Sequence, residues 1–239
     1  MPETLATLFL AHVLADYVVQ PAWMVEDKAK PETLFLHFLA IVFTAMLCTG
    51  QLASPAVYAL ALVHIVIDAV KVRCFSDRFI PHITDQALHL VTLAATALLC
   101  PDLFATGLYG DVTWLPKLML LGAGAIYATC AGSIAINKLL ATFDPQPTSK
   151  GYPQSGPLIG NLERALTYLC IMAQMPEGIG FLLAAKVVMR FQTGTTDEKR
   201  YEYVFIGTLA SFGWAIAVTL AVIFMASLLP PVGISLPNH

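Results

Sequence analysis

The stretch A-H-V-L-A-D-Y-V-V-Q at residues 11–20 finds a second copy in V-H-I-V-I-D-A-V at 63–70, so that His12 and Asp16 recur as His64 and Asp68. At the same offset of 52 residues His37 recurs as His89. Sliding 12–48 over 64–100 without a gap also superposes Val18 on Val70, Thr44 on Thr96, Ala45 on Ala97 and Cys48 on Cys100. An internal repeat constrains architecture before any single element does. This one reads as a duplicated helical hairpin that carries His-x-x-x-Asp and a second His in each copy. Five of the six histidines lie between residues 12 and 89, in otherwise strongly apolar surroundings.

Composition decides the solvent. Of 239 residues, 57% are hydrophobic and 12% charged, and the mean hydropathy is +0.72, beyond the balance of a soluble domain. The chain is expected to be an all-α, polytopic membrane helical bundle. With a net charge of −3 and no long basic run, it has no footprint for nucleic acid. The five cysteines show no C-x-x-C spacing and are read as small core residues. No basic region precedes the first apolar segment, so no cleavable signal is expected there.

Crossing the hydrocarbon takes about 20 apolar residues per helix. On that scale about eight membrane segments are expected, near 3–22, 33–52, 56–75, 83–100, 114–137, 158–174, 178–192 and 203–228, the seventh short enough to be re-entrant. Prolines mark most boundaries. Three regions follow: a duplicated-hairpin half over 1–102, a second four-helix half over 112–229, and a disordered tail over 230–239. Ten of the thirteen Lys and Arg fall in the loops 23–32, 71–82, 138–157 and 190–202, against Lys117 alone in the opposite loops. The positive-inside rule then places those loops in the cytoplasm, with both termini outside it. His12, Asp16, His37, His64, Asp68, Asp85 and His89 all come to lie in the cytoplasmic half of the membrane.

Imidazole and carboxylate four residues apart share a helix face and are good ligands for Zn²⁺, with Mn²⁺ or Fe²⁺ also suited. The expected ligands are His12, Asp16, His37, His64, Asp68 and His89, related by a pseudo-two-fold axis along the membrane normal and sufficient for one or two ions. The structural alternative is a polar core that glues helices together, with Lys71, one turn after Asp68, as an ion-pair partner. Burying three carboxylates uncompensated in hydrocarbon is costly, which favours the metal. Thr44 and Thr96 are expected to bond backbone carbonyls, and His82 is given no role.

The second half carries G-P-L-I-G-N-L-E-R at 156–164, K-V-V-M-R-F at 186–191 and E-Y-V-F-I-G-T-L at 202–209. A helix start with Arg164, Lys186 and Arg190 nearby suits an anionic head group; equally, Glu163 and Glu202 can pair with these cations and lock the helices. Together with 11–20 and 64–68, these motifs resemble a bacterial and phage family of multi-pass membrane proteins catalogued as a domain of unknown function. That resemblance implies which positions matter and brings no activity with it.

The leading functional expectation is a metal-dependent hydrolase or transferase acting on a lipid or other anionic amphiphile from the cytoplasmic side, with a metal-activated water as nucleophile, Asp85 as general base and Arg164, Lys186 and Arg190 as the head-group clamp. A divalent-metal transporter for Zn²⁺ or Mn²⁺ and a non-catalytic membrane partner are the alternatives; parallel repeats tilt only slightly against the transporter. Expected partners are membrane lipids and further copies of the chain. Cysteine-accessibility labelling is expected to find 23–32, 71–82, 138–157 and 194–200 cytoplasmic and both termini outside. External labelling at position 150 overturns the topology.

Overall fold

The computed structural model describes residues 1–143, 155–191 and 198–232, without the side chains of 155, 189–191 and 198–201. Much of the stretch expected to form a disordered tail, 233–239, lies outside the described residues. Among those described there is no strand. The helices are α1 (Pro2–Leu14), α2 (Ala22–Glu26), α3 (Pro31–Thr49), α4 (Pro55–Cys74), α5 (Phe79–Leu99), α6 (Leu115–Ile126), α7 (Gly132–Leu140), α8 (Ser155–Met172), α9 (Glu177–Phe191) and α10 (Glu198–Ser227). π-helical turns extend α1 through Ala15–Val19 and join α6 to α7 through Tyr127–Ala131. The chain forms two compact units, one of Met1–Ala123 with the chain from Phe224 on, the other of Gly124–Ile223.

Among the described residues four stretches are long and apolar enough to cross a membrane: Pro31–Thr49, Pro55–Cys74, Leu115–Leu140 and Glu202–Ser227. The other four expected segments are helical too. However, α1 and α9 are shorter, and α5 and α8 carry polar side chains along their length. By length and composition alone, four of the expected segments qualify as spans among the described residues, and the other four are helices that these criteria leave unconfirmed.

In the first unit α1, α3, α4 and α5 close into a ring, each packing on the two beside it. Pro2, Pro31 and Pro55 open three of these helices in their first turn, where a missing N–H costs nothing and the fixed φ suits the helix. The repeat extends into the packing. Leu8 and Leu60, 52 residues apart, meet with Leu93 and Leu103 in one apolar cluster. Ala11, Ala15, Ala45 and Ala61 form another with Val57 and Ile41, where small side chains let backbones approach closely.

The ring is polar within and apolar without. On α5, His82, Asp85, Gln86, His89, Leu93 and Ala97 are buried while Ile80, Leu88, Val91 and Leu98 are exposed. On α3, Phe35, Leu39, Phe43 and Leu47 form an exposed stripe opposite His37, Ile41, Thr44 and Cys48. An apolar surface over a polar core is costly in water and expected in lipid. Thr44 and Thr96 donate to Ile41 O and Thr92 O at 3.1 and 2.8 Å, so both hydroxyls are satisfied within their own helices.

The loop after α5 closes the end of the ring away from Asp16 and Asp68. Thr4 Oγ1 donates to Pro101 O at 2.7 Å, Gln51 Nε2 to Leu103 O at 2.8 Å, and Leu108 N to Gly50 O at 3.0 Å. Gly50 terminates α3 in the left-handed region (φ 69°), and a Cβ there would lie 2.7 Å from Leu108 N. Gly50→Ala is expected to cost at least about 1–2 kcal/mol from the backbone conformation alone, measured as reduced resistance to denaturation in detergent. An unchanged midpoint contradicts this account of the loop.

Candidate functional site

The four ring helices deliver seven titratable side chains to one place. His12 comes from α1, Asp16 from the π turn that follows, His37 from α3, His64 and Asp68 from α4, and Asp85 and His89 from α5. The π turn inserts an extra residue per hydrogen-bonded ring and re-aims the side chains it carries, a device found often at functional sites. All seven are buried or nearly so, with His37, Asp68 and His89 fully enclosed.

The geometry centres on the aspartates of the two repeats. His37 Nε2 lies 3.5 Å from Asp16 Oδ1 and 3.3 Å from Asp68 Oδ2. His64 Nε2 lies 3.3 Å from Asp16 Oδ1 and 3.7 Å from Asp68 Oδ2. His12 Nδ1 is 3.9 Å from Asp16 Oδ2. The His64 and His89 rings stack with centroids 3.8 Å apart, and the His12 ring is 5.4 Å from each.

These separations exceed the 2.7–3.2 Å of a protein N–H···O bond. Both nitrogens of His12, His37 and His89, Nε2 of His64, and Oδ1 of Asp16, Asp68 and Asp85 are buried without a hydrogen-bond partner. Among the described residues only Gln20 Nε2 and Arg164 Nε share that condition. Two ligands held about 2.0–2.1 Å from one tetrahedral ion lie about 3.4 Å apart, which is the spacing of the His37, His64, Asp16 and Asp68 atoms. Three overlapping sets bring potential ligand atoms within 4.8 Å of one another: His12, Asp16, His64 and His89; His37, His64 and Asp68; and Asp68, Asp85 and His89.

Two lysines complete the cluster. Lys28, in the linker between α2 and α3, places Nζ 2.7 Å from Asp68 Oδ2. Burial opposes its charge, but Asp68, with Asp16 farther off, outweighs this and holds the Lys28 ammonium above its ordinary value. Lys71 donates to Asp85 Oδ2 at 3.0 Å, and so pairs with α5 rather than with Asp68 one turn before it. Gln86 Nε2 donates to the same oxygen at 3.3 Å, and Gln86 Oε1 accepts from the Tyr17 hydroxyl at 2.7 Å. Asp85, expected as a base, thus keeps only Oδ1 unengaged. Reasoning from the repeat missed Lys28 because its register partner in the second copy is Ile80; its one signal was membership of a basic loop.

Arg164 and Lys186 belong to the second unit. Arg164 donates to Ser211 Oγ at 2.9 Å, Asn161 Oδ1 at 2.7 Å and Thr129 O at 3.3 Å. The π turn exposes such carbonyls to side-chain donors, and Tyr127 O likewise accepts from Trp214 Nε1 at 3.2 Å. Gly132 makes room for this arrangement, since a Cβ there would lie 2.9 Å from Arg164 Cδ. Lys186 Nζ pairs with Glu163 Oε2 at 2.6 Å. The Arg190 side chain lies outside the described residues.

Residues 4–108 match the family described as "Protein of unknown function (DUF3307)". The match covers the two hairpins and ends before the 156–164, 186–191 and 202–209 motifs. No curated protein and no solved structure matches the chain.

Arg164→Ala is expected to lower stability by about 3 kcal/mol, because it leaves buried hydrogen-bond partners of a charged group unmet. Denaturation of the purified variant measures this. A loss below about 0.5 kcal/mol, the scale of an ordinary surface substitution, contradicts a helix-locking role.

Proposed function

We propose that the repeat domain, one of that unknown-function family, is a divalent-metal centre inside a membrane helical bundle, and that the protein is a metal-dependent hydrolase or transferase. The observation that carries this reading is the set of imidazole–carboxylate separations of 3.3–3.7 Å among His37, His64, Asp16 and Asp68, too long for hydrogen bonds and matched to ligand edges around one ion. His12 and His89 complete the donor set. Mixed nitrogen and oxygen donors favour Zn²⁺, with Mn²⁺ or Fe²⁺ next. With neutral imidazoles, Asp16, Asp68 and Asp85 against Lys28 and Lys71 leave one negative charge. That balance suits a single divalent ion better than two, because a second would bury a large positive excess.

Such an ion supplies Lewis acidity toward a substrate oxygen. The chain's own groups do the rest. Lys71 and Gln86 fix the Asp85 carboxylate through Oδ2, which leaves Oδ1 to take a proton. Tyr17 orients Gln86. The apolar exterior and buried ligands exclude water from the centre. The substrate in this reading is an anionic amphiphile reached from the lipid. The apolar helices and the basic loops support a bacterial inner-membrane location; in this reading α1 and the other expected segments cross as well, which puts both termini outside and 23–32 in the cytoplasm. In this reading Arg164 and Lys186, expected as the head-group clamp, serve instead to hold their own unit, through Ser211, Asn161 and Thr129 in the one case and Glu163 in the other.

The two repeats contribute ligands from either side of the ring, an arrangement that also suits a carried ion. Reconstituted vesicles that accumulate Zn²⁺ through the wild type and not through Asp16→Asn or Asp68→Asn variants make the ion cargo and remove the enzyme.

Elemental analysis is expected to find about one divalent ion per chain. At a hundred times its Kd, added Zn²⁺ is expected to stabilise the protein by about 2.7 kcal/mol. His64→Gln, with its ligand nitrogen displaced, is expected to weaken Zn²⁺ binding at least as much as loss of an outer-sphere partner does, about 10–100-fold. A folded wild type with no bound metal and no Zn²⁺-dependent rise in melting temperature returns the cluster to a polar core.

A further inference from the structure

Two lysines pair with the carboxylates of the sealed cluster, Lys28 with Asp68 and Lys71 with Asp85. Side-chain exposure is 1% for Asp68 and 3% for Asp85, but 14% for Lys28 and 19% for Lys71. Within each of these two pairs the ammonium group therefore lies nearer the surface than its carboxylate.

Lys28 is the more informative of the two. It rides on the short linker ahead of α3 and not on a ring helix, and its second-repeat counterpart is Ile80. Asp68 Oδ1 has no hydrogen-bond partner, and Lys28 is the close cationic partner of Oδ2, at 2.7 Å. Asp68 is also one of the proposed ligands, so Lys28 and a divalent ion compete for the same carboxylate. The charge balance then gives a direction. One negative charge becomes one positive charge when a divalent ion is held, and a buried net charge is unfavourable until an opposite charge joins it.

We propose that Lys28 is the substrate-binding group of this centre: its ammonium neutralises Asp68 in the metal-free protein and, once Asp68 is committed to a divalent ion, receives an anionic phosphate-type oxygen. This rests on the metal reading and adds the substrate class and the residue that recognises it. A lysine is suited to the task, since a compact point charge with three donors binds phosphate oxygens readily. Lys71 stays with Asp85.

The test uses full-length protein in neutral detergent with Zn²⁺ alone, inorganic phosphate alone, and both. Phosphate is expected to raise the melting temperature only when Zn²⁺ is present. Lys28→Met is expected to bind Zn²⁺ more tightly, because the competing cation is gone, and to bind phosphate about tenfold more weakly, a change of about 1.4 kcal/mol. Lys28→Arg is expected to restore phosphate binding, which separates recognition from folding. Lys30→Met, at an exposed lysine paired with Asp27 at 2.8 Å, is expected to change neither. Short-chain phosphatidic acid bound more tightly than inorganic phosphate assigns the anion to a lipid head group, and equal affinities assign it to a free phosphate; both agree with the proposal.

A wild type that takes up no Zn²⁺ overturns the metal centre itself. If Zn²⁺ binds but phosphate affinity is independent of the metal, or equal in wild type and Lys28→Met, the metal centre stands and Lys28 loses this role.

Discussion

The first unit depends on the approach of two aspartates from opposite repeats, Asp16 and Asp68, through His37 and His64. Two carboxylates buried this close repel, and in lipid-like surroundings nothing outside the protein can screen them. The ring of helices resolves the conflict by interposing nitrogen donors and by bringing Lys28 and Lys71 in from the edges. The apolar layers around Leu8, Leu60 and Leu93 hold the helices at the distance this requires.

The same constraint explains why the ring is apolar outside. If the polar groups must face one another, the remaining faces of α3, α4 and α5 are free to carry Phe, Leu and Val toward lipid. Hydroxyls that bond their own helix backbones add little cross-linking between helices. Position is then set by close packing of small residues and by the charged centre.

Much of this was legible in the sequence because it is periodic. The 52-residue offset identified His12, Asp16, His37, His64, Asp68 and His89, and the structure brings all six together. Helicity throughout followed from apolar content and proline punctuation. What periodicity could not reveal is what the repeat does not share. Lys28 and the Tyr17–Gln86 bond have no counterpart in the other copy, and the π turn at Asp16 shifts a side chain without leaving a mark in residue spacing. About eight spans were expected from hydrophobic runs; among the described residues four stretches meet the length and composition for crossing, and α5 and α8, which use part of their length for polar groups, are left unconfirmed by that measure. Arg164 was expected in a head-group clamp or paired with Glu163 or Glu202, whereas its hydrogen bonds run to Ser211, Asn161 and a π-helical carbonyl at Thr129 that no motif announces.

The closed ring of α1, α3, α4 and α5 has the layout that two copies of a single hairpin would form about a two-fold axis. In such a dimer every residue occurs twice, so any charge at the shared centre is an even number. Joining the copies in one chain removes that restriction. Lys28 faces Ile80 in register, Val19 faces Lys71, and Thr33 faces Asp85. Each of the three charges therefore occurs once, and with Asp16 and Asp68 they leave an odd total of one negative charge. Duplication within a chain thus gives this centre a parity of charge that identical subunits cannot reach, and with it two inequivalent sides: one where Lys28 meets Asp68, and one where Lys71 holds Asp85.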